Sequence, residues 1–231
     1  MDTISSVRKR ISYCLKTIVV LAAVIGTCLS AYAGRNSFMG GSTVFMYFTI
    51  QSNIAIAIIS LIGCCILSLN KPVSKAWHVI KFVGTVSITL TGIVFCFVLA
   101  PTLKTNAWNI QNILTHVVVP LFAIADYFII ASTTQIKYRN VFYVIIPPLL
   151  YAIYAGSGYV KGWQFSEGIN YPYFFLNWGS EAGAFGFTKG LPFMGTAWWI
   201  LALLLFLICV GCCYLAISNC INRKLDKKGR E

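Results

Sequence analysis

Residues 44–69, VFMYFTIQSNIAIAIISLIGCCILSL, form an apolar run that is long enough to cross a bilayer as a helix. Near its start stand four polar residues, Thr49, Gln51, Ser52 and Asn53. Because hydrocarbon offers no hydrogen-bond partners, each of these side chains needs a partner within the protein or a function. The run therefore predicts a membrane-spanning helix with a polar cluster near one end.

The composition of the whole chain is also that of a membrane protein. Of 231 residues, 58% are hydrophobic and 10% are charged, whereas about a quarter of the residues in soluble domains are charged. The span-length apolar runs cover 12–33, 45–69, 79–100, 110–132, 140–156 and 196–217. Pro147 and Pro148 should kink or split the fifth. We expect an all-α integral membrane protein, with residues 1–231 forming one bundle of six transmembrane helices.

The lysines and arginines predict the orientation of this bundle. Of the 18, all but four fall on the side of the two termini; the exceptions are Arg35, Lys104, Lys161 and Lys189. Because cytoplasmic segments carry the excess of basic residues, both termini are expected in the cytoplasm and the bundle in the cell membrane. The net charge of +12 then reflects topology and implies no nucleic-acid partner. The first run also resembles a signal peptide ending at 31–33, but its length favours a retained span.

The longest connection, residues 157–195, lies on the predicted exterior side and is dense in aromatic residues. Aromatic side chains favour the headgroup level of a membrane. Long ordered loops also serve as lids or binding elements. Interfacial anchoring and a binding role remain equally open for this connection.

Thr49 and His116 are predicted to lie at the same depth. Thr49 is about 7 Å below the exterior end of the second span, and His116 is about 9 Å below that of the fourth. A neutral imidazole can take the proton of a hydroxyl nucleophile, which makes the two residues candidate catalytic groups. The candidate oxyanion donors or supporting residues are Gln51, Ser52, Asn53 and Asn112.

Structural roles are open for the same residues. Thr49, Ser52 and Asn53 share one helix face, which also suits packing against a neighbouring helix. Thr49 could then donate its hydroxyl hydrogen bond to the Phe45 carbonyl. His116 could likewise be a structural histidine that is bonded to a backbone carbonyl.

Asp126 is the one acidic residue within a predicted span. It follows His116 by ten residues, about 15 Å along the helix axis, and is therefore too distant to orient that imidazole. Lys81 lies at a compatible depth for pairing with Asp126, as a structural pair or as a proton-relay element. Glu167 or Glu181 of the long connection could be the partner of His116 instead.

Three stretches resemble the family of androgen-induced and androgen-dependent membrane hydrolases, and its bacterial six-span relatives most. They are YFTIQSN (47–53), LTHVVVPLFAIAD (114–126) and INYPYFFL (169–176). The resemblance implies that Thr49 is a nucleophile, that His116 is its partner and that the substrate is a fatty-acid ester of a hydroxy fatty acid. The sequence departs from the family in the polar IQSN after the threonine and in a shorter interval between histidine and proline.

Together these features predict an intramembrane threonine hydrolase that cleaves a lipid ester through an acyl-threonine near the exterior leaflet. Its partners would be the lipid ester and membrane lipids. The sequence contains no metal cluster, phosphate loop or dinucleotide fingerprint, so we expect no cofactor. A small-solute or proton-coupled transporter using His116, Asp126 and Asn53 is an alternative, and so is a non-catalytic lipid-binding protein. A hydrolase needs a cavity that opens sideways, whereas a transporter needs a path to both aqueous faces.

Overall fold

Six long helices make up the computed structural model, which describes residues 6–36, 41–69, 73–103, 107–130 and 136–228, with α6 side chains as far as Arg223. The helices are α1 (Ser6–Ala33), α2 (Phe48–Leu69), α3 (Lys75–Thr102), α4 (Ile110–Ile129), α5 (Tyr138–Val160) and α6 (Thr196–Lys228). All six are long and apolar enough to cross a membrane. The predicted all-helical fold with six span-length helices is confirmed.

The two ends of the bundle differ. Lys16, early in α1, and Asn222, late in α6, line one cavity, so α1 begins and α6 ends at the same end. We call this the terminal end, and we call the opposite end, which carries residues 161–195, the loop end. Which end faces the cytoplasm stays a prediction. Lys71 and Lys104, two of the basic residues on which it rests, lie outside the described residues.

Apolar side chains cover the outside of the bundle as well as its core. Each helix leaves large apolar residues exposed, for example Leu21, Ile58, Phe97, Leu121, Ile153 and Leu205. A soluble monomer rarely exposes so much contiguous apolar surface, whereas a lipid-facing surface requires it. The structure is thus compatible with a multi-pass membrane protein.

The central helix is α3, which contributes to both apolar cores. Phe82 and Val86 pack with residues of α5 and α6 in one core. Ile88 packs in the other core with residues of α1, α2 and α4. Since α3 belongs to both cores, it joins the two halves of the bundle.

Prolines account for the irregular segments of three helices. These segments are π-helical Phe95–Leu99 in α3, π-helical Leu114–Val118 in α4 and 3-10-helical Tyr138–Ile145 in α5. Pro120 has no N–H to donate to the carbonyl of His116 four residues earlier, which explains the wider turn at that point. The expected interruption of α5 is seen as a change of helix type immediately before Pro147 and Pro148.

The long connection folds back onto the loop end. The Tyr47 hydroxyl donates to the carbonyl of Phe165, whose side chain is fully buried, at 3.1 Å. A short 3-10 turn, Phe174–Leu176, packs Phe175 and Leu176 into the bundle. Part of this connection therefore belongs to the core. We call residues 165–176 the roof, because they cover the loop end of the bundle.

Candidate active site

An apolar groove begins beneath this roof. Its walls come from α2, α3, α5, α6 and residues 173–176, and it holds about 580 Å³ of empty space, including the open space at its mouth. The polar residues in its wall are Thr49, Thr91, Tyr151 and Tyr173. Its α6 residues and Pro148 are only partly buried, so the groove reaches the flank of the bundle. The apolar lining suits an acyl chain.

Thr49 contacts the groove at the first turn of α2. Its Oγ1 lies 3.1 Å from the Tyr173 hydroxyl, and its backbone N–H donates to the same hydroxyl at 3.3 Å. The Tyr173 oxygen accepts from the Thr49 N–H, and its own proton can be donated to Thr49 Oγ1, to the neighbouring Tyr151 hydroxyl or to a bound ligand. Burial raises the pKa of Tyr173 and keeps this phenol protonated as a donor.

The Phe45 carbonyl is not the partner of Thr49, although that was one expectation. It accepts instead from the side-chain amide of Gln51 at 3.1 Å. Gln51 is exposed and does not line the groove. The structure therefore does not support the prediction that Gln51 is an oxyanion donor, because a donor must point to the reacting carbonyl.

Ser52 and Asn53 join α2 to its neighbours. The Ser52 hydroxyl lies 2.7 Å from the Thr91 hydroxyl on α3. Asn53 is fully buried, and its amide donates to the carbonyl of Thr49 at 2.8 Å and to that of Thr115 at 3.1 Å. Its Oδ1 has no partner among the described residues. One amide proton of Asn53 thus bonds within α2 and the other holds α2 against α4, which leaves Asn53 an acceptor but no donor.

His116 lies in the π-helical turn of α4. Its Nδ1 is 3.0 Å from the Asn112 carbonyl and 3.0 Å from Thr115 Oγ1. Because a carbonyl can only accept, this contact assigns the proton of the neutral ring to Nδ1 and leaves the lone pair on Nε2. Phe95 stacks on the ring, with 3.8 Å between centroids. The Asn112 carbonyl and the Thr115 hydroxyl thus orient the His116 ring. The sequence had offered Glu167 or Glu181 for this role.

The remaining predicted supporting group is the Asn112 side chain, which donates to the Ala107 carbonyl at 2.9 Å. It therefore shapes the first turn of α4 and does not contact Thr49 or His116 through its amide. The hydroxyl of Thr115, which the sequence interpretation passed over, donates to the Gln111 carbonyl at 2.8 Å and so presents its lone pairs to His116 Nδ1.

Thr49 and His116 lie on helices that contact each other, but they are not bonded to each other. Asn53 bridges the carbonyl of Thr49 and that of Thr115, the residue before His116. No hydrogen bond joins Thr49 Oγ1 to the imidazole within the part of the chain that the structure describes. His116 also does not line the groove. A proton passing between them needs a bridging water or a shift of the ring.

Asp126 belongs to a separate cluster towards the terminal end. The expected contact with Lys81 is present, with Nζ 2.8 Å from Oδ2. Lys16 also binds the carboxylate, at 2.6 Å from Oδ2, and Ser12 donates to Oδ1. Lys16 entered the sequence interpretation only as a basic residue near the N-terminus. Its position inside an apolar run, opposite a lone intramembrane acid, was the signal that could have identified the pair.

Comparison with known proteins finds no matching family model, no similar curated protein and no similar solved structure. The resemblance to the androgen-induced hydrolases therefore stays a prediction from the sequence. What the chain does must be inferred from the groove, the Thr49–Tyr173 contact and the nearby imidazole.

Proposed function

We propose that the groove at the loop end is the active site of an intramembrane lipid-ester hydrolase with Thr49 as its nucleophile. The observation that carries this proposal is the contact between the Thr49 hydroxyl and the Tyr173 hydroxyl in the wall of an apolar groove. The hydroxyl of Ser52 bonds to Thr91 of a neighbouring helix, whereas that of Thr49 bonds to a residue of the long connection. Here the partner belongs to the roof, so the pair forms only when roof and bundle are assembled.

The reaction uses two steps of acyl transfer. Thr49 Oγ1 attacks the ester carbonyl, and its proton passes to His116 Nε2 through one water, for which Asn53 Oδ1 is an available acceptor. The tetrahedral intermediate expels the alcohol, which takes the proton back from Nε2 and leaves an acyl-threonine. A water molecule then gives a proton to Nε2 and attacks the acyl carbon. Breaking the acyl–oxygen bond releases the fatty acid and returns the proton to Thr49.

Tyr173 is the donor that stabilises the negative oxygen of both intermediates. Its hydroxyl already lies at Thr49 and keeps its proton because burial raises its pKa. One well-placed donor of this kind contributes about 3–4 kcal/mol to transition-state stabilisation. The Thr49 N–H fixes the phenol in place.

The substrate enters from the membrane and not from water. The apolar groove has partly exposed residues of α6 at its edge, which a lipid chain can pass without crossing an aqueous phase. An ester of a fatty acid with a hydroxy fatty acid, the class that the sequence resemblance implies, has two apolar arms and one carbonyl and suits this groove. In the orientation that the basic residues predict, the groove faces the exterior leaflet.

The arrangement of cavities favours a hydrolase over a transporter. A second cavity lies at the terminal end around Lys16 and Asp126. The groove and this second cavity share no lining residue among the described residues. A transport path would have to run continuously from one to the other, whereas the structure shows two separate cavities.

Labelling with a fluorophosphonate tests the proposal. We expect wild type and Thr49→Ser to form a covalent adduct at residue 49, Thr49→Val to form none, and His116→Gln to react at least a hundredfold more slowly. The matched control is Thr91→Val, the same change at another threonine of the groove, which should keep labelling within about threefold of wild type. Full labelling and ester hydrolysis by folded Thr49→Val would refute the assignment of the nucleophile.

A further inference from the structure

The second cavity, at the terminal end, has features of a ligand site that the proposed hydrolysis does not use. It holds about 890 Å³ of empty space, including its open mouth, and is bounded by all the helices except α5. Its apolar wall includes Ile56, Ile59, Ile66, Leu67, Ile130 and Leu215. Neutral polar groups, among them Ser218 and Asn219, line the same cavity. Its lining therefore combines many apolar residues with polar and charged ones.

The charges of this cavity do not balance. Its described lining contains two lysines, Lys16 and Lys81, and one acidic residue, Asp126. Lys16 Nζ contacts both carboxylate oxygens, and Lys81 Nζ contacts Oδ2 at 2.8 Å. His78 lines the same cavity and cannot supply negative charge. Among the residues that the structure describes, one positive charge in excess remains in a largely apolar setting, where an uncompensated charge is costly.

The two lysines play different parts. Lys16 is almost fully buried and uses its donors on the Asp126 carboxylate and on Ser12 Oγ, at 2.7 Å. This pair already neutralises Asp126. Lys81 is more exposed and has one close contact, to Oδ2, and a long one of 3.4 Å to the Asp126 carbonyl. An ammonium has three donors, so Lys81 can bind a further oxygen atom.

We propose that this cavity binds an anionic lipid, with the oxyanion on Lys81 and the acyl chain along the isoleucine and leucine wall. The oxyanion would supply the charge that the cluster lacks, and the wall would bury the chain at a favourable free energy for each methylene group. A fatty-acid carboxylate and the phosphate of a phospholipid headgroup share this chemistry. The proposal does not depend on the activity at Thr49.

Trp77 supplies a local probe, because it lines this cavity. The purified, delipidated full-length protein is titrated in detergent with dibromostearate, with a dibrominated phosphatidylglycerol and with inorganic phosphate. Quenching is measured in wild type and in Trp77→Phe, and the difference between them isolates the signal of Trp77. Phosphate does not quench, so it is scored by competition against each lipid.

Lys81→Gln should weaken binding by about tenfold to a hundredfold, the worth of one charge-assisted hydrogen bond. Lys75→Gln is the matched control, since Lys75 is an exposed lysine at the start of the same helix and does not line the cavity; its affinity should equal that of wild type. Leu67→Phe narrows the apolar part of the cavity without changing charge or adding a tryptophan, and should also weaken the binding of both lipids. This variant keeps the test decisive if Lys81→Gln does not fold.

The titrations with the two lipids identify the source of the oxyanion. Saturable quenching by the fatty acid alone assigns a carboxylate ligand, and quenching by the phospholipid alone assigns a headgroup. Equal affinity of wild type and Lys81→Gln for both lipids would overturn the proposal. Displacement of the lipids by millimolar phosphate, together with unchanged lipid affinity in Leu67→Phe, would overturn the lipid part and leave a small-anion site.

Discussion

Replacing Tyr173 by phenylalanine separates a catalytic contact from a structural one. The change removes one oxygen atom, which lies 3.1 Å from Thr49 Oγ1 and accepts from the Thr49 N–H at 3.3 Å. Two hydrogen bonds of this length stabilise the fold by about 1–2 kcal/mol. If Tyr173 stabilises the negative oxygen in the transition state, its loss also raises the reaction barrier by about 3–4 kcal/mol. The expected result is a fall in kcat of about a hundredfold to a thousandfold with KM unchanged, because the apolar groove remains.

The assay is hydrolysis of a fluorogenic long-chain ester in mixed micelles, at a temperature where every variant remains folded. Tyr47→Phe is the matched control, since it removes a hydroxyl that donates to the Phe165 carbonyl at 3.1 Å and does not contact Thr49. It should lose similar stability and keep kcat within about threefold. Equal kcat values for Tyr173→Phe and Tyr47→Phe would show that Tyr173 only holds the roof in place.

Two further predictions concern the backbone near His116 and the behaviour of the protein at high pH. A Cβ at Gly92 would lie 2.9 Å from the His116 carbonyl, so Gly92→Ala should lower stability by about 1–3 kcal/mol and slow hydrolysis, as thermal unfolding and the ester assay would show. A Cβ at Gly84 would meet only isoleucine side-chain ends, and Gly84→Ala should be tolerated; equal losses would contradict this argument. Burial raises the pKa of Tyr47 and of Tyr173 above the ordinary value of 10.0. Their contribution to stability is therefore complete below about pH 10 and is lost as the pH rises further. Thermal unfolding at about pH 8 and pH 11 should show this loss, and the corresponding phenylalanine variants should lose less; an unchanged loss would contradict the prediction.

Hydropathy was sufficient to locate the helices because a bilayer leaves few alternatives. A long apolar run must satisfy its backbone within itself, so length and composition predict a helix directly. The ends are less determined: α3 begins at Lys75, four residues before the predicted start, and α6 continues to Lys228. Ser74 explains the earlier start of α3, because its side chain caps the helix by accepting from the Trp77 N–H.

The sequence also contained part of the candidate site. The shared face of Thr49, Ser52 and Asn53 is present, and all three are buried. What single-helix geometry could not supply is the partner from the long connection, because nothing in the spacing of residues predicts which loop tyrosine returns to α2. The INYPYFFL stretch contains Tyr173, so a search for a hydroxyl donor within that stretch would have proposed it among two tyrosines.

The relation of Thr49 to His116 shows what the rise per residue of a helix can predict and what it cannot. Rise per residue predicted equal depth, and the Asn53 side chain does link the two helices at that level. Rotation about the helix axis was not predictable, because Pro120 removes the donor for the His116 carbonyl and the helix opens into a π turn there. That turn changes the direction of every side chain in it, so an ideal helical wheel cannot tell whether the imidazole points into the groove. The same opening lets the His116 carbonyl pack against Gly92, which makes this glycine part of what sets the position of the proposed base.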